Sequence, residues 1–348
     1  MKSRAIPRVF RENKKHFVGT LKRILHINIM KKTNVTILLT ILKIIAIAIP
    51  LLLIFKQVDL SKIGSAIQQV RWWAIPVHLL TGLLMMILQG VRWWILIKAF
   101  TNKLSLLRSM AYHFSSIFYS LIIPNSISQE IIRTVFATKQ AGSIISWSSS
   151  WIAKILGIIV SLGFSLCGLA LLSGTGIPNS VTVIIIVLFG ILLLTIILSF
   201  SKKSTRLLRK IFLPLIPKRF LGWIENFREG IYQYRNKKRS LVIVFFCTVL
   251  VQLIMVFGIT ALLFGITGRF YLTECMAYIP LIEMICMAQP FTPNGIGVRE
   301  ALVAIMFKQL GLTNEQLGIY IIISNLAILL KFLGVIPVLY GFNMKEQR

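Results

Sequence analysis

The sequence predicts an all-α fold: a polytopic helical membrane protein with about six full spans and two opposed re-entrant helical hairpins, arranged as an inverted repeat. Composition is the first observation behind this. Of 348 residues, 56% are hydrophobic and only 14% charged, with a mean hydropathy of +0.81, and such values belong to membrane proteins rather than soluble domains. The second is where the net charge of +29 falls: ten Lys or Arg lie in residues 1–33 and twelve in 202–239. They sit between apolar runs and not along a reading face, which is the pattern of cytoplasmic loops and not of nucleic-acid binding. Such segments also attract anionic lipid head groups at the inner surface. Third, two apolar stretches are cut near their middles by Pro, Gly and Asn, residues that a continuous span does not carry cheaply.

Residues 1–33 form a basic cytoplasmic segment without an apolar core and small-residue cleavage site, so no signal peptide is expected. The first membrane half, 34–200, holds spans at 35–55, 73–95, 146–172 and 181–200. Its second span is bracketed by Arg71-Trp72-Trp73 and Arg92-Trp93-Trp94. Helix between those tripeptides rises about 31 Å, so each Trp pair is expected to anchor at one interface. A basic amphipathic cytoplasmic connection follows over 201–239, broken near Pro214 and Pro217. The second half, 240–342, has spans at 240–264 and 316–341, and 343–348 is a cytoplasmic tail. No segment suits a soluble catalytic domain or a nucleotide-binding P-loop.

The hairpins are expected at 109–138 and 276–310. Each arm is about 20 Å of helix, too short to cross a core about 30 Å thick. Arg92, Lys98, Lys103 and Arg108 precede the first and Lys139 follows it, whereas loop 172–180 is uncharged. The first hairpin therefore opens to the cytoplasm and the second outward, with both termini cytoplasmic in a plasma membrane.

An internal repeat links the two. Met110-Ala111-Tyr112 leads into one hairpin and Met276-Ala277-Tyr278 into the other, with Pro124 and Pro290 fourteen residues on. The turns Pro124-Asn125-Ser126-Ile127-Ser128 and Pro293-Asn294-Gly295-Ile296-Gly297 match in pattern. Beyond each, a lysine recurs in similar company: Lys154-Ile155-Leu156-Gly157 against Lys331-Phe332-Leu333-Gly334.

Inside the membrane domain, Arg133, Lys154, Arg299 and Lys331 face Glu130, Glu283 and Glu300, which leaves one positive charge over. One unpaired cation suits a monoanionic head group such as a phosphodiester. Asn125 and Asn294 are N-cap residues for the second arms, so two helix N-termini are placed to present N–H groups to one phosphate, with Gly295 and Gly297 shaping the turn. Against this, the charged residues serve equally to lock the hairpins together, and Glu130 suits a helix start whatever the function. Cys167, Cys247, Cys275 and Cys286 are scattered, as are the four histidines, so no metal site, disulfide framework or cofactor is expected.

Taken together, PFTPNGIGVREAL and IIPNSISQEIIR resemble the paired signatures of the lysylphosphatidylglycerol synthase transmembrane-region family, flippase-like integral membrane proteins, over most of residues 35–341. Asn294 stands where that family shows a first glycine. Gln129-Glu130 stands where it tends to show Gly-Asp, and Lys154 and Lys331 where arginine is common. The resemblance implies translocation or handling of an anionic phospholipid or polyprenyl-phosphate-linked lipid, at a midplane site between the hairpins. It also implies a lipid-handling module without the soluble aminoacyl-transferase domain, and hence no enzyme. Two alternatives stand beside this. One is a non-transporting partner that presents lipid to a separate glycosyl- or aminoacyl-transferase. The other is an intramembrane enzyme using Glu130, Glu283 and Glu300, for which no nucleophile is in sight.

Overall fold

The computed structural model describes residues 70–122, 127–172, 227–288 and 295–340, with positions 68, 190 and 292. The expected spans 35–55 and 181–200, the segment 1–33, positions 201–226 of the connection, the tail, Asn125 and Asn294 lie outside these residues. Among the described residues every regular element is helical. In chain order they are α1 (Ala74–Lys98), α2 (Leu106–Ile122), α3 (Ser128–Ala141), α4 (Ser143–Leu171), α5 (Lys238–Thr267), α6 (Leu272–Ala288), α7 (Val298–Lys308), α8 (Asn314–Leu326) and α9 (Val335–Leu339). Short 3-10 segments occupy Tyr234–Asn236 and Ala327–Gly334.

Among the described residues, four helical stretches are long and apolar enough to cross a bilayer: Ala74–Lys98, Ser143–Leu171, Lys238–Thr267 and Asn314–Leu339. They match the spans expected at 73–95, 146–172, 240–264 and 316–341. The last is continuous but not uniform, because its eight residues Ala327–Gly334 are wound as 3-10 helix. Such a run is longer than the usual three or four residues. Pro337 gives a reason: it lacks an N–H, and its ring crowds the carbonyl four residues back. The turn ahead of it therefore cannot complete a regular α ladder.

The remaining helices are short. α2 and α3 have 17 and 14 residues, α6 and α7 have 17 and 11, so each is at most about 26 Å long and falls short of the hydrocarbon thickness. Each short pair packs together, α2 on α3 and α6 on α7. The elements pack across the chain in an exchanged fashion. α2, the first arm of one pair, lies on the 3-10 segment and α9 of the last span, with the Phe118 and Phe332 rings 6.0 Å apart. α6, the first arm of the other, lies on α4, where Ser165 Oγ donates to the Ala277 carbonyl at 2.8 Å. Similarly, α1 packs on α4 as α5 packs on α8, and α3 on α4 as α7 on α8.

Between the halves, α1 and α5 form the central contact and run antiparallel: Arg92 reaches Thr248 at one end, and the Arg71 carbonyl lies near Gly265 at the other. Gly258 and Gly265 are seven residues apart, two turns on one face. A Cβ at Gly258 would strike the Thr81 side chain, and one at Gly265 the Ala74 methyl. Hydrocarbon gives no hydrophobic drive for helix association, so this close approach is what holds the pair. We expect Gly258→Leu to force α1 and α5 apart and to lower the thermal unfolding midpoint of detergent-solubilised protein by the equivalent of about 1–3 kcal/mol. Val242→Leu, on the outward face of α5 where Val242 is exposed, should leave it unchanged.

The dry core lies mainly in the second half, where Leu262, Leu263, Ile279, Ile282, Val303, Phe307 and Ile319 are buried together across α5 to α8. Phe246, Leu253 and Phe257 of α5 point outward and are exposed, as lipid-facing side chains are. Near the start of α5, Tyr234 is fully buried and its hydroxyl donates to the Leu96 carbonyl at 3.1 Å. Burial pushes its phenol above the ordinary range, so it remains a neutral donor tying this region to the end of α1.

Candidate functional site

The polar residues of the membrane domain gather into two clusters, one in each half. In the first, Glu130 is the third residue of α3, where the helix dipole favours a carboxylate. Gly142 alone connects α3 to α4; its φ of 84° is a left-handed conformation open to glycine, and it turns α4 back across α3. Lys154 thereby comes within 3.0 Å of Glu130 Oε1. One turn along α3, Arg133 is 3% exposed. Its guanidinium lies 5.1 Å over the Trp93 ring, and Nη1 is 3.5 Å from His113 Nδ1 of α2.

Trp93 is itself locked in place. Its indole N–H donates to Ser150 Oγ at 3.0 Å, Ser150 and Thr134 share a 2.6 Å hydroxyl contact, and the Thr134 hydroxyl donates to the Glu130 carbonyl at 2.6 Å. The ring is thus a fixed wall whose π face receives the Arg133 cation. This corrects the expectation that Trp93 anchors at an interface, for it is wholly buried. Trp72, 78% exposed, keeps the position expected of an anchor.

Arg92 is a charged residue of this cluster that the sequence reading placed on the cytoplasmic flank of the first hairpin. Neighbouring side chains on a helix diverge by about 100°, so while Trp93 faces α3, Arg92 faces α4 and α5. Its Nη1 donates to Thr248 Oγ1 at 3.2 Å, its guanidinium lies beside Gly157, and it is within Coulomb range of both Arg133 and Glu130. A sequence signal for this existed. The helix runs six residues beyond Arg92 to Lys98, whose Nζ sits 4.5 Å over the Trp94 ring. Lys98 therefore marks the helix end, and Arg92 lies about 9 Å deeper.

The first cluster holds three cations, Arg92, Arg133 and Lys154, against one carboxylate, Glu130, an excess of two positive charges among the described residues. Its hydrogen-bonding capacity is not exhausted either. Nε of Arg92, Nε of Arg133, Nε2 of His113, Oγ of Ser115 and Oε2 of Glu130 are sealed from solvent with no hydrogen-bond partner, a state that costs free energy unless a ligand or water answers it.

The second cluster is closed. Gly295 and Gly297 have φ of 74° and 86°, and Gly295 packs against Cys286 so tightly that a Cβ there would collide with it. The turn ends at α7, where Glu300 folds back and its Oε2 accepts the Gly297 N–H at 2.5 Å. Glu300, like Glu130, is thus the third residue of its helix, but it serves as a cap and is 3% exposed. Arg299 is gripped by Glu283 of α6 in a two-point contact, Nε to Oε1 at 2.7 Å and Nη2 to Oε2 at 3.0 Å. Lys331, in the 3-10 segment, lies within Coulomb range of Arg299, Glu283 and Glu300. Two cations here meet two carboxylates.

The two clusters differ at one place in particular. The hairpin arginine of the second half faces a carboxylate, Glu283, from the first arm; that of the first half faces an imidazole, His113. The structure therefore groups Glu130, Arg133 and Lys154 apart from Glu283, Gly295, Gly297, Arg299, Glu300 and Lys331, and α3 does not pack as an element on α7. The single surplus charge counted from the sequence becomes two once Arg92 is included, and both belong to the first half. Among the described residues no group of three or more His, Cys, Asp or Glu could hold a metal ion.

A family model described as the lysylphosphatidylglycerol synthase TM region matches residues 40–335. No curated protein and no solved structure matches the chain.

Proposed function

Because the chain belongs to the lysylphosphatidylglycerol synthase transmembrane-region family, we propose that this membrane-embedded protein moves an anionic lipid or lipid-linked intermediate between leaflets. The observation that carries the reading is the first cluster. An excess of two cations, with two unpartnered guanidinium Nε atoms, is held among apolar helices where uncompensated charge costs several kcal/mol. An anionic head group supplies what is missing.

The hairpin architecture supports movement rather than static binding. The exchanged packing of α2 and α6, and the antiparallel α1–α5 pair, fit an inverted repeat in which re-entrant hairpins enter from opposite faces. In that topology, with both termini cytoplasmic in the plasma membrane, one half rocks against the other around a site at depth. The ion-paired second cluster and the open first cluster make the halves unequal, so the head group is held chiefly by α1, α3 and α4. The same reading has the chain act without chemistry on the lipid.

Reconstitution tests this. Liposomes carrying the protein and a leaflet-specific labelled anionic lipid should equilibrate the label faster than empty liposomes, and Arg133→Ala should abolish the acceleration. Binding of lipid with no acceleration for any anionic species tested would instead mark a protein that presents lipid to a separate glycosyl- or aminoacyl-transferase.

A further inference from the structure

We infer that the first cluster is a receptor for a phosphate head group of two or more negative charges, a phosphomonoester or a diphosphate, in preference to a monoanionic phosphodiester. This rests on the reading of the protein as a handler of anionic lipid. The ground for it is charge stoichiometry among buried groups. Arg92 from α1, Arg133 from α3 and Lys154 from α4 face the site, with Glu130 the single carboxylate and His113 of α2 beside them. Lys154 pairs with one oxygen of Glu130 at 3.0 Å, while Glu130 Oε2 is buried without a partner; by charge the pair cancels, so the two arginines carry the surplus.

A phosphodiester cancels one of those charges and leaves the other buried. A phosphomonoester dianion cancels both, and a terminal diphosphate, with about three charges at pH 8, more than does so. Geometry agrees with the count. Arginine binds phosphate oxygens through a planar fork that includes Nε, and it is Nε of Arg92 and of Arg133 that is sealed and unpartnered. Thr248 on one and the Trp93 face on the other hold the two guanidinium groups from different helices. Two forks in fixed places suit an anion with oxygens to offer to both.

The test is equilibrium binding to the purified full chain in detergent at pH 8. The probes are farnesyl diphosphate, dioleoylphosphatidic acid, dioleoylphosphatidylglycerol and inorganic pyrophosphate. Farnesyl diphosphate and phosphatidic acid should bind about tenfold or more tightly than phosphatidylglycerol, the factor expected for one additional charge-assisted contact. Arg133→Gln, which leaves one surplus charge, should bring the three lipids to within about threefold of one another. Arg92→Gln is the parallel variant from another helix, so misfolding of either leaves the comparison intact.

A pH series separates the ligand's titration from the protein's. The second ionisation of a phosphomonoester lies near about pH 6, so phosphatidic acid should gain affinity from pH 5 to pH 8. Protonation of His113 would act in the opposite direction and equally on phosphatidylglycerol. Equal affinity for the three lipids, or a preference unchanged in both arginine variants, overturns the inference. Pyrophosphate bound as tightly as farnesyl diphosphate also overturns it, by showing a soluble anion as the ligand. The failure modes are distinct: a dianion preference without flipping sinks the transport reading alone, and flipping of phosphatidylglycerol without preference sinks this one alone.

Discussion

Glu283→Ala is expected to destabilise the protein by more than loss of the pair as a whole. The Glu283 carboxylate takes both Arg299 contacts, at 2.7 and 3.0 Å. Among the described residues, its removal leaves Arg299 and Lys331 with only Glu300 nearby, and Glu300 is occupied by the Gly297 N–H. The pair is part-buried, its side chains 31% and 39% accessible, so breaking it from one side costs about 1–3 kcal/mol, less than for a fully buried pair. Removing both partners takes away the orphaned cation along with the pair. The double variant Glu283→Ala/Arg299→Ala should therefore recover a good part of the loss, with a coupling of about 1–3 kcal/mol. Thermal unfolding of the four proteins of the cycle measures it. Additive losses would show that the bidentate contact contributes nothing to the hairpin.

The same arithmetic explains why the two hairpins, alike in sequence, differ in what they offer. Pro124 and Pro290, the Met-Ala-Tyr lead-ins and the Lys-x-Leu-Gly matches foretold short paired helices followed by a span. The structure has them as α2 with α3 and α6 with α7, each followed by a long apolar helix. Local signals sufficed here, since proline and glycine act on their own few residues. What the sequence left out was the partner each charge would find. Glu283 and Arg299 are sixteen residues apart, Glu130 and Lys154 twenty-four, and only the helix packing brings them together. Trp93 shows the limit best. Its neighbours in sequence suggest an interface belt, and its burial is set by Ser150, fifty-seven residues away. The eight-residue 3-10 segment around Lys331 was likewise hidden, because 316–341 reads as an unbroken apolar run with Pro337 close to its end.

Arg92→Ala should separate binding from stability in opposite directions, which no anchoring role would do. If Arg92 only fixed α1 at the membrane surface or tied it to Thr248, its loss would lower the unfolding midpoint and leave lipid movement near its original rate. The structure places it instead in mutual repulsion with Arg133, inside a group that already carries more cation than carboxylate. Removing one of two like charges relieves that repulsion, so the unfolding midpoint of the lipid-free protein should hold or rise. The contact to Thr248 at 3.2 Å lies at the long end of the hydrogen-bond range, and its loss offsets part of that gain. Binding and translocation of an anionic lipid should fall about tenfold to a hundredfold, the worth of a charge-assisted contact in a water-poor site. Arg92→Lys retains the charge but not the fork, and should restore a fraction of the activity while bringing back the stability deficit. A midpoint that drops with Arg92→Ala while lipid movement persists would return Arg92 to the membrane interface, and with it the surplus charge on which the first cluster's role depends.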